Sequence, residues 1–481
     1  MEQIISFGDT IVALSTPAGS GALALIRLSG PSAVETVADA WKGADLRLAA
    51  SHTAHLGEYI GRDGRPLDQC VATIYRGPRS FTGEDMVEIS VHGSGWIQRA
   101  VVNDLIERGL RPAAPGEFSQ RAFLNGRIDL AQAEGIADLI GASSRAAHSL
   151  AIRQTKGQFS RKLDAMRDSL VELASLLELE LDFSEEDVEF ADRSRLASLA
   201  EELCATITRL ADSYGAGSVI KEGVNVVIAG IPNAGKSTLL NNLLGDDKAI
   251  VSDIAGTTRD VIEDTREIGG ILFRFIDTAG LRESDDVIER IGIGRARERL
   301  AKASVVIWVI DVTSPLPPQT DEIMTSTRDI NPDCRLILLL NKTDLPRDRW
   351  SFDFESFKDS LKEISESQEI GSAFHGDEPL ICGSAGSEST AKEIENCLEK
   401  TSRRLIDREA DVVITNARHY EALLRGRDAL ERVLAGLRDG LPADLIAQDL
   451  REATHHFGTI TGAVTTDTLL QTIFSRFCIG K

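Results

Sequence analysis

Residues 230–237 read Gly-Ile-Pro-Asn-Ala-Gly-Lys-Ser, a glycine-framed loop that ends in a lysine and a hydroxyl. The spacing is G-x-x-x-x-G-K-[ST], and its chemistry is phosphate binding. Glycines let the backbone curl until consecutive N–H groups point into one concavity. Lys236 would reach the β- and γ-phosphates of a nucleotide, and the Ser237 hydroxyl would ligate Mg2+. Such a loop needs a strand before it and a helix after it. Val224–Ala229 is an apolar, largely β-branched run, and Thr238–Leu244 reads as helix. The positive end of a helix opening near Lys236 adds to the anion site.

Four more strings follow in the order a GTPase requires. Gly256-Thr257-Thr258-Arg259-Asp260 offers the Thr258 hydroxyl as the group that senses Mg2+ and the γ-phosphate. Asp277-Thr278-Ala279-Gly280 ends a strand; Asp277 would hold Mg2+ through water, and the Gly280 N–H would meet the γ-phosphate. Asn341-Lys342-Thr343-Asp344 ends another. The Asp344 carboxylate can accept from guanine N1–H and from the exocyclic amino group, a pattern adenine does not supply. An unmatched base leaves buried polar groups unpaired, so the choice of GTP over ATP is strong. Ser384-Ala385 then supports the base oxygen, followed by Gly386 where many GTPases carry Lys, a departure that loosens the base loop. Leu281, after Asp-Thr-Ala-Gly, cannot orient a water, and no arginine finger is evident in the chain. Such a finger is worth about 10³–10⁵ in rate, so another positive group must replace it.

The elements that position these residues fall into three textures. Residues 1–123 mix short strand-like runs (Thr10–Leu14, Leu23–Leu28, Gln69–Tyr75, Met86–Val91) with glycine-rich turns, an α+β pattern. Residues 124–222 are helical, with Asp129 and Gln132 spaced as a capping box. Seven acidic residues between Glu178 and Glu189 read as a solvated face or loop. Residues 223–404 alternate strand and helix as a parallel sheet does, with Val305–Ile310 and Leu336–Leu340 as its clearest buried strands and 347–380 as a polar surface insertion. Helical texture returns over 405–481. The expected architecture is multidomain α/β plus all-α: an N-terminal α+β domain, and a discontinuous helical domain interrupted by an inserted P-loop, Ras-like G domain. Gly19-Ser20-Gly21 with Ala24 imitates a dinucleotide fingerprint, but the apolar stretch before Ser29-Gly30-Pro31 is too short for its crossover helix.

The bulk numbers limit the rest. A chain of 481 residues suggests about three domains. A net charge of −22 disfavours a protein whose whole surface grips nucleic acid, while leaving room for a local basic patch or a basic partner. The six scattered cysteines show no Cys-x-x-Cys and read as reduced cytosolic thiols. No signal peptide and no apolar run of about 18 residues is read, so the expectation is a cytoplasmic protein outside the membrane.

The chain resembles the MnmE (TrmE) tRNA-modification GTPase family over essentially its whole length. The resemblance rests on the phosphate loop, on Ser252-Asp253-Ile254-Ala255-Gly256-Thr257-Thr258-Arg259-Asp260, on Asp277 through Glu283 followed by Ile288-Glu289-Arg290-Ile291-Gly292-Ile293, and on the terminal Phe-Cys-Ile-Gly-Lys. Ser80-Phe-Thr-Gly-Glu-Asp and Pro115-Gly-Glu-Phe-Ser-Gln-Arg-Ala-Phe-Leu-Asn match as well. It implies that Asn233, Ala234, Gly235, Lys236, Ser237 and Thr238, the stretch Ser252–Thr258, Asp277, Thr278, Ala279 and Gly280, and Asn341, Lys342, Asp344, Ser384 and Ala385 bind GTP, with Ser237 and Thr258 on Mg2+.

The same resemblance implies a K+ ion in place of the finger, bound when G domains dimerise, with oxygens from Asn233, Ser252, Ile254 and Thr257. It makes Glu289 the acid that orients water. By residue type alone Asn233 is equally a turn residue, and Glu289 a solvated helix residue. For the N-terminal domain the resemblance implies a fold like that of folate-binding one-carbon enzymes and a bound 5-formyltetrahydrofolate. Arg27, Glu88 and Arg127 would contact it, Lys481 reaching in from the C-terminal end. Arg127 stands where the family usually has Lys, and taken alone these residues read as surface charges. Cys478 would end the modification site; a packed thiol is the plain alternative, and Lys481 is a poor final residue for prenylation.

The activity implied is a homodimeric GTPase that, with an FAD-dependent partner (MnmG), adds an aminomethyl-type group to the wobble uridine of certain tRNAs. No flavin fingerprint occurs in this chain. A ribosome-assembly switch of the Era or Der type is the alternative, although one phosphate loop and no KH pattern are found. A third reading is a folate-binding module with a regulatory GTPase.

Overall fold

The computed structural model describes residues 8–182, 193–245, 264–277, 300–301, 303–315, 331, 334–354, 357, 379–406, 413–475, 477 and 479–480. The chain forms two compact units, one of Met1–Gly141, Ala151–Ile207 and Glu421–Lys481, the other of Ala142–Leu150 and Thr208–Tyr420.

The first unit opens with strands β1 (Ile11–Leu14), β2 (Leu23–Ser29), β3 (Trp41–Gly43), β4 (Thr53–Ile60), β5 (Pro66–Tyr75), β6 (Met86–His92) and β7 (Arg111–Pro112). They make one sheet in the order β3-β4-β5-β6-β2-β1-β7. The β1–β7 pair is parallel and the others antiparallel. Alternation sets the faces: in β6 Val87, Ile89 and Val91 are buried, while Glu88 and Ser90 point the other way. Helices α1 (Ala33–Asp39) and α2 (Gly95–Glu107) cover the apolar face, with Val34, Val37, Val101 and Leu105 in one core with Ile26, Leu28 and Ile89. β2 runs straight through Ala24 as strand, so the dinucleotide-like glycines open no helix.

Helices α3 (Glu117–Leu124), α4 (Leu130–Gly141), α5 (Arg145–Thr155), α6 (Gln158–Asp182) and α7 (Arg193–Asp212) follow. The capping box forms as expected: Gln132 N–H donates to Asp129 Oδ1 at 2.8 Å, and Asp129 N–H to Gln132 Oε1 at 3.0 Å. On α3, Arg121 is 1% exposed. Its guanidinium donates to Asp9 Oδ1 at 2.6 Å, Glu117 Oε1 at 3.1 Å and Glu84 at 3.2 Å, and Arg111 shares Asp9 and Glu117. This ionic knot ties the strand layer to α3.

The second unit contains α8 (Tyr214–Glu222), β8 (Val224–Ala229), α9 (Lys236–Leu244), β9 (Asp264–Ile268), β10 (Ile271–Asp277), β11 (Val305–Asp311), β12 (Arg335–Asn341), β13 (Leu380–Cys382) and α10 (Glu388–Ile406). Its sheet runs β13-β12-β11-β8-β10-β9, parallel except for the β9–β10 hairpin. Both faces are covered, so the strands are nearly continuous apolar runs. Val226 and Ile228 pack with Leu239, Leu243, Ile394 and Leu398 on one side, and Val227 packs with Trp308 and Leu338 on the other. Much of the expected 347–380 insertion lies outside the described residues.

The chain closes with α11 (Ala417–Arg438), α12 (Ala443–Thr461) and α13 (Asp467–Phe474). In the first unit α13 places Leu470, Ile473 and Phe474, with Phe477, against Leu130 and Ala133 of α4. The tail then reaches the first sheet, where Ser15 Oγ donates to Gly480 O at 3.1 Å. Gly480 has φ +93, and a Cβ there would lie 2.6 Å from Leu14 O, so the seat admits only glycine. No disulfide joins the five described cysteines, and burial pushes the Cys70 thiol up to about 12. Among the described residues no helix is long and apolar enough to cross a membrane.

Candidate nucleotide site

The parallel strands of the second unit end at one edge. Asp277 of β10 is level with Ile228 of β8, and Asp311 of β11 with Asn341 of β12. In open α/β sheets ligands bind outside such carboxyl ends. The loop after β8 reverses through positive φ at Gly230 (+147), Asn233 (+62) and Gly235 (+103). Asn is among the few side chains that tolerate this region. Glycine is required at the other two by close approach: a Cβ at Gly230 would lie 2.4 Å from Val309 O, and one at Gly235 2.2 Å from Asn341 Nδ2. α9 starts directly at Lys236 with Gly235 as its cap, a helix start that suits an anion.

Lys236 is almost buried, and its ammonium donates to Gly230 O at 2.9 Å and Ile231 O at 2.8 Å. The loop thus wraps its own cation. Asn233, Ser237 and Thr238 are exposed, and Ala234 is buried beneath them.

Asn341 is 3% exposed and joins three segments. Its Nδ2 donates to Ala234 O at 2.6 Å, while its Oδ1 accepts from Lys342 N–H at 2.8 Å and Ala385 N–H at 2.7 Å. Lys342, at φ +66, turns the chain and donates through Nζ to Asp311 Oδ2 at 2.6 Å. Burial alone would raise the Asp311 pKa; hydrogen bonds from Lys342 and Thr313 outweigh it and hold the carboxyl below its ordinary range. Asp344 is exposed, three residues beyond the end of β12. Ser384 N–H donates to Thr390 Oγ1 at 3.1 Å, and Asn242 Nδ2 donates to Ala385 O at 3.0 Å and Ser387 O at 2.9 Å.

The structure therefore brings together Asn233 through Thr238, Asn341, Lys342, Asp344, Ser384 and Ala385, with the Asp277 backbone ending β10 at the same edge. Ser252, Asp253, Ile254, Ala255, Gly256, Thr257, Thr258, Thr278, Ala279, Gly280 and Glu289 lie outside the described residues, as do Cys478 and Lys481. Asp311, Asn242 and Thr390 were missed from the sequence. Asp311 had a signal, an acid closing the apolar run Val305–Ile310; the other two lie inside ordinary helix sequence.

The site fits a nucleotide with Mg2+. Its cradle is one that a Cβ at Gly235 would fill, and a lysine and a hydroxyl stand at its helix start. Among the described residues no group of three His, Cys, Asp or Glu could cage a metal. Mg2+ at such a site is held by a hydroxyl and the phosphates instead.

In the first unit, Arg27 and Glu88 are direct cross-strand partners of β2 and β6, joined at 2.7 Å. Tyr75 OH donates to Glu88 Oε2 at 3.3 Å, and Arg27 Nη1 to Gly480 O at 3.3 Å. The tail that precedes Lys481 thus reaches the pair. Arg127 is exposed, with its stem beside Gly83.

A parallel sheet with a lysine-bearing phosphate loop, cross-tied to an Asn-Lys-x-Asp strand end, defines a P-loop GTP hydrolase. Comparison with known proteins narrows the class. The family model of the MnmE helical domain matches residues 130–478, and that of the GTP-binding protein TrmE N-terminus matches 10–127. The tRNA modification GTPase MnmE of Cytophaga hutchinsonii is 46% identical, the match covering 98% of this chain and 98% of that one. The protein of the same description from Christiangramia forsetii is 44% identical over 99% and 100%. The chain belongs to the MnmE (TrmE) family of tRNA-modification GTPases. A crystal structure of Aquifex aeolicus Era bound to GDP·AlF4⁻ aligns with 43% of this chain and 66% of that chain at 27% identity, with a TM-score of 0.28.

Proposed function

We propose that this GTPase works as a cytoplasmic homodimer with an FAD-dependent MnmG-type partner, adding an aminomethyl or carboxymethylaminomethyl group to C5 of the wobble uridine of certain tRNAs. The one-carbon unit would come from 5-formyltetrahydrofolate. The observation that carries this reading is the length of the match: relatives described as tRNA modification GTPases cover 98–99% of this chain, beyond its G region. That coverage also favours the reading over an Era- or Der-like assembly switch. The working division is a folate-binding-like domain at 1–123, helical segments at 124–222 and 405–481, and a G domain at 223–404.

A K+ ion, when bound, would place positive charge beside the phosphates as charge develops in the transition state. Asn233, Ser252, Ile254 and Thr257 would hold it. Asn233 supports this by standing exposed on the loop at positive φ. Glu289 would orient the attacking water, which Leu281 cannot do. Arg27, Glu88, Arg127 and Lys481 would meet the folate. The Arg27–Glu88 pair offers a carboxylate and a guanidinium in fixed order, as the pterin edge and an acidic tail or formyl oxygen require.

For RNA, the acidic chain has a basic stretch at the α5–α6 turn. Arg153, Lys156, Arg161, Lys162 and Arg167 stand there against a single acid, Asp164, within 151–167. Arg153, Lys156 and Arg161 are exposed. These would contact phosphates, with the partner supplying most of the grip. Equal tRNA affinity with and without the partner would refute that division of labour.

The test of the catalytic reading is GTP turnover in KCl against matched NaCl, with Glu289→Ala and Asn233→Ala beside it. Strong K+ stimulation lost in both variants supports it; equal slow turnover in both salts removes the cation.

A further inference from the structure

The base loop carries glycine at Gly386, where a longer side chain would restrain it. Among the described residues, the only atom within 4 Å of a Cβ built there is Thr238 Cγ2, at 3.7 Å, an ordinary contact. A glycine loop has more backbone freedom to lose when it closes on a ligand. Yet the loop is held from below. The Asn242 side-chain amide donates both protons across it, to Ala385 O at 3.0 Å and to Ser387 O at 2.9 Å. Ser387 N–H closes the same turn onto Ser384 O at 2.8 Å. Asn242 sits on α9, the helix that begins at the phosphate-loop lysine, and its side chain is half-buried.

We infer that Asn242 is a positioning residue for guanine: it clamps residues 385–387 so that the loop reads the base's 6-oxygen, and it couples that reading to the helix of the phosphate site. It touches no part of the nucleotide. It acts by fixing two carbonyls, which sets the direction of the N–H groups on the opposite side of the same peptide units. A loop so fixed gives up less freedom on binding, and that saving appears as affinity.

The inference rests on Ser384–Ala385 being the base loop. Asp344→Asn checks that basis separately, since the amide should trade guanosine for xanthosine diphosphate; failure to do so sinks the base site whatever Asn242 does. The test of Asn242 itself uses full-length Asn242→Ala and Asn242→Asp, the latter keeping the shape without the donor. Affinities are measured for GDP, IDP (6-oxygen kept, amino group absent) and 6-thio-GDP (Asp344 contacts kept, oxygen replaced by a poor acceptor).

Both variants should bind GDP and IDP about tenfold more weakly than the parent chain, as expected for lost hydrogen bonds. With 6-thio-GDP they should fall within about twofold of it, because protein and ligand changes on one contact do not add. Turnover at saturating GTP should be unchanged while KM rises. Equal loss for all three nucleotides would mean a general structural role and overturn the inference. So would undiminished GDP binding by Asn242→Asp.

Discussion

Asn341 Nδ2 donates to Ala234 O at 2.6 Å, so a single side chain at the end of β12 holds the phosphate loop. Its other atom accepts from Ala385 N–H. Truncation in Asn341→Ala leaves both buried groups without that partner. A stranded buried group costs about 1–3 kcal/mol, so GDP binding should weaken by about 30-fold or more. Titration with a fluorescent GDP measures it; an unchanged affinity would show that the two loops hold themselves.

Gly235 and Gly386 should respond oppositely to the same small change. Gly235→Ala places a Cβ 2.2 Å from Asn341 Nδ2 at φ +103, and should abolish nucleotide binding. Gly386→Ala meets ordinary contact at 3.7 Å and should leave binding within about twofold. Similar losses in both would contradict the loop geometry.

The Arg121 knot sets an acid limit on the first unit. Burial would raise the Glu117 pKa, but hydrogen bonds from Arg111 and from Ala114 N–H outweigh it, and the net shift is down from 4.5. Asp9 is shifted down as well, again through Arg111 and Arg121 acting against burial. A depressed folded pKa adds stability above the unfolded value, and that stability is lost as pH falls through the folded one. The melting temperature should therefore hold near neutrality and drop below about pH 4.5, with a shallower slope in Glu117→Gln. At neutral pH that variant should already be less stable by about 3 kcal/mol, because two guanidiniums lose a buried partner. Calorimetry across pH decides it; an unchanged slope would remove Glu117 from the account.

The basic stretch gives a test by salt. Arg153→Glu with Lys156→Glu should weaken tRNA binding and lower the slope of log affinity against log salt by about two. GTP turnover without tRNA should stay as it is. An unaltered slope would place the RNA contact elsewhere.

What was legible in the sequence was what local chemistry dictates. Val224–Ala229 is the strand at its read bounds, and Val305–Ile310 and Leu336–Leu340 are each shorter than the strand by one residue or two. Apolar runs buried on both faces leave little else for a parallel sheet to be. The Asp129–Gln132 box was visible because both partners lie within one turn. Strand β4 went unread, since its Thr-Ala-His-Leu-Gly-Glu pattern alternates weakly and its place is set by pairing with β5. Most of the Arg121 knot was invisible for a related reason: Glu117 is an i,i+4 partner on the same helix, but the other acids sit at 9 and 84, and nothing local links those to Arg121. In the site, the strings named the ligand, whereas the ties that shape it, Asn242 to Ala385 and Lys342 to Asp311, are contacts between distant segments.

Gly480 seats its carbonyl on Arg27, 453 residues upstream. On a ribosome adding about 5–20 residues per second, that partner emerges roughly half a minute or more after the strand it completes. Through that interval the nascent first sheet has Arg27 and Glu88 in place but lacks the piece that closes over them. A chain cut short between Tyr420 and Gly480 would keep every described element of the second unit, yet lack the tail carbonyl that seats on Arg27.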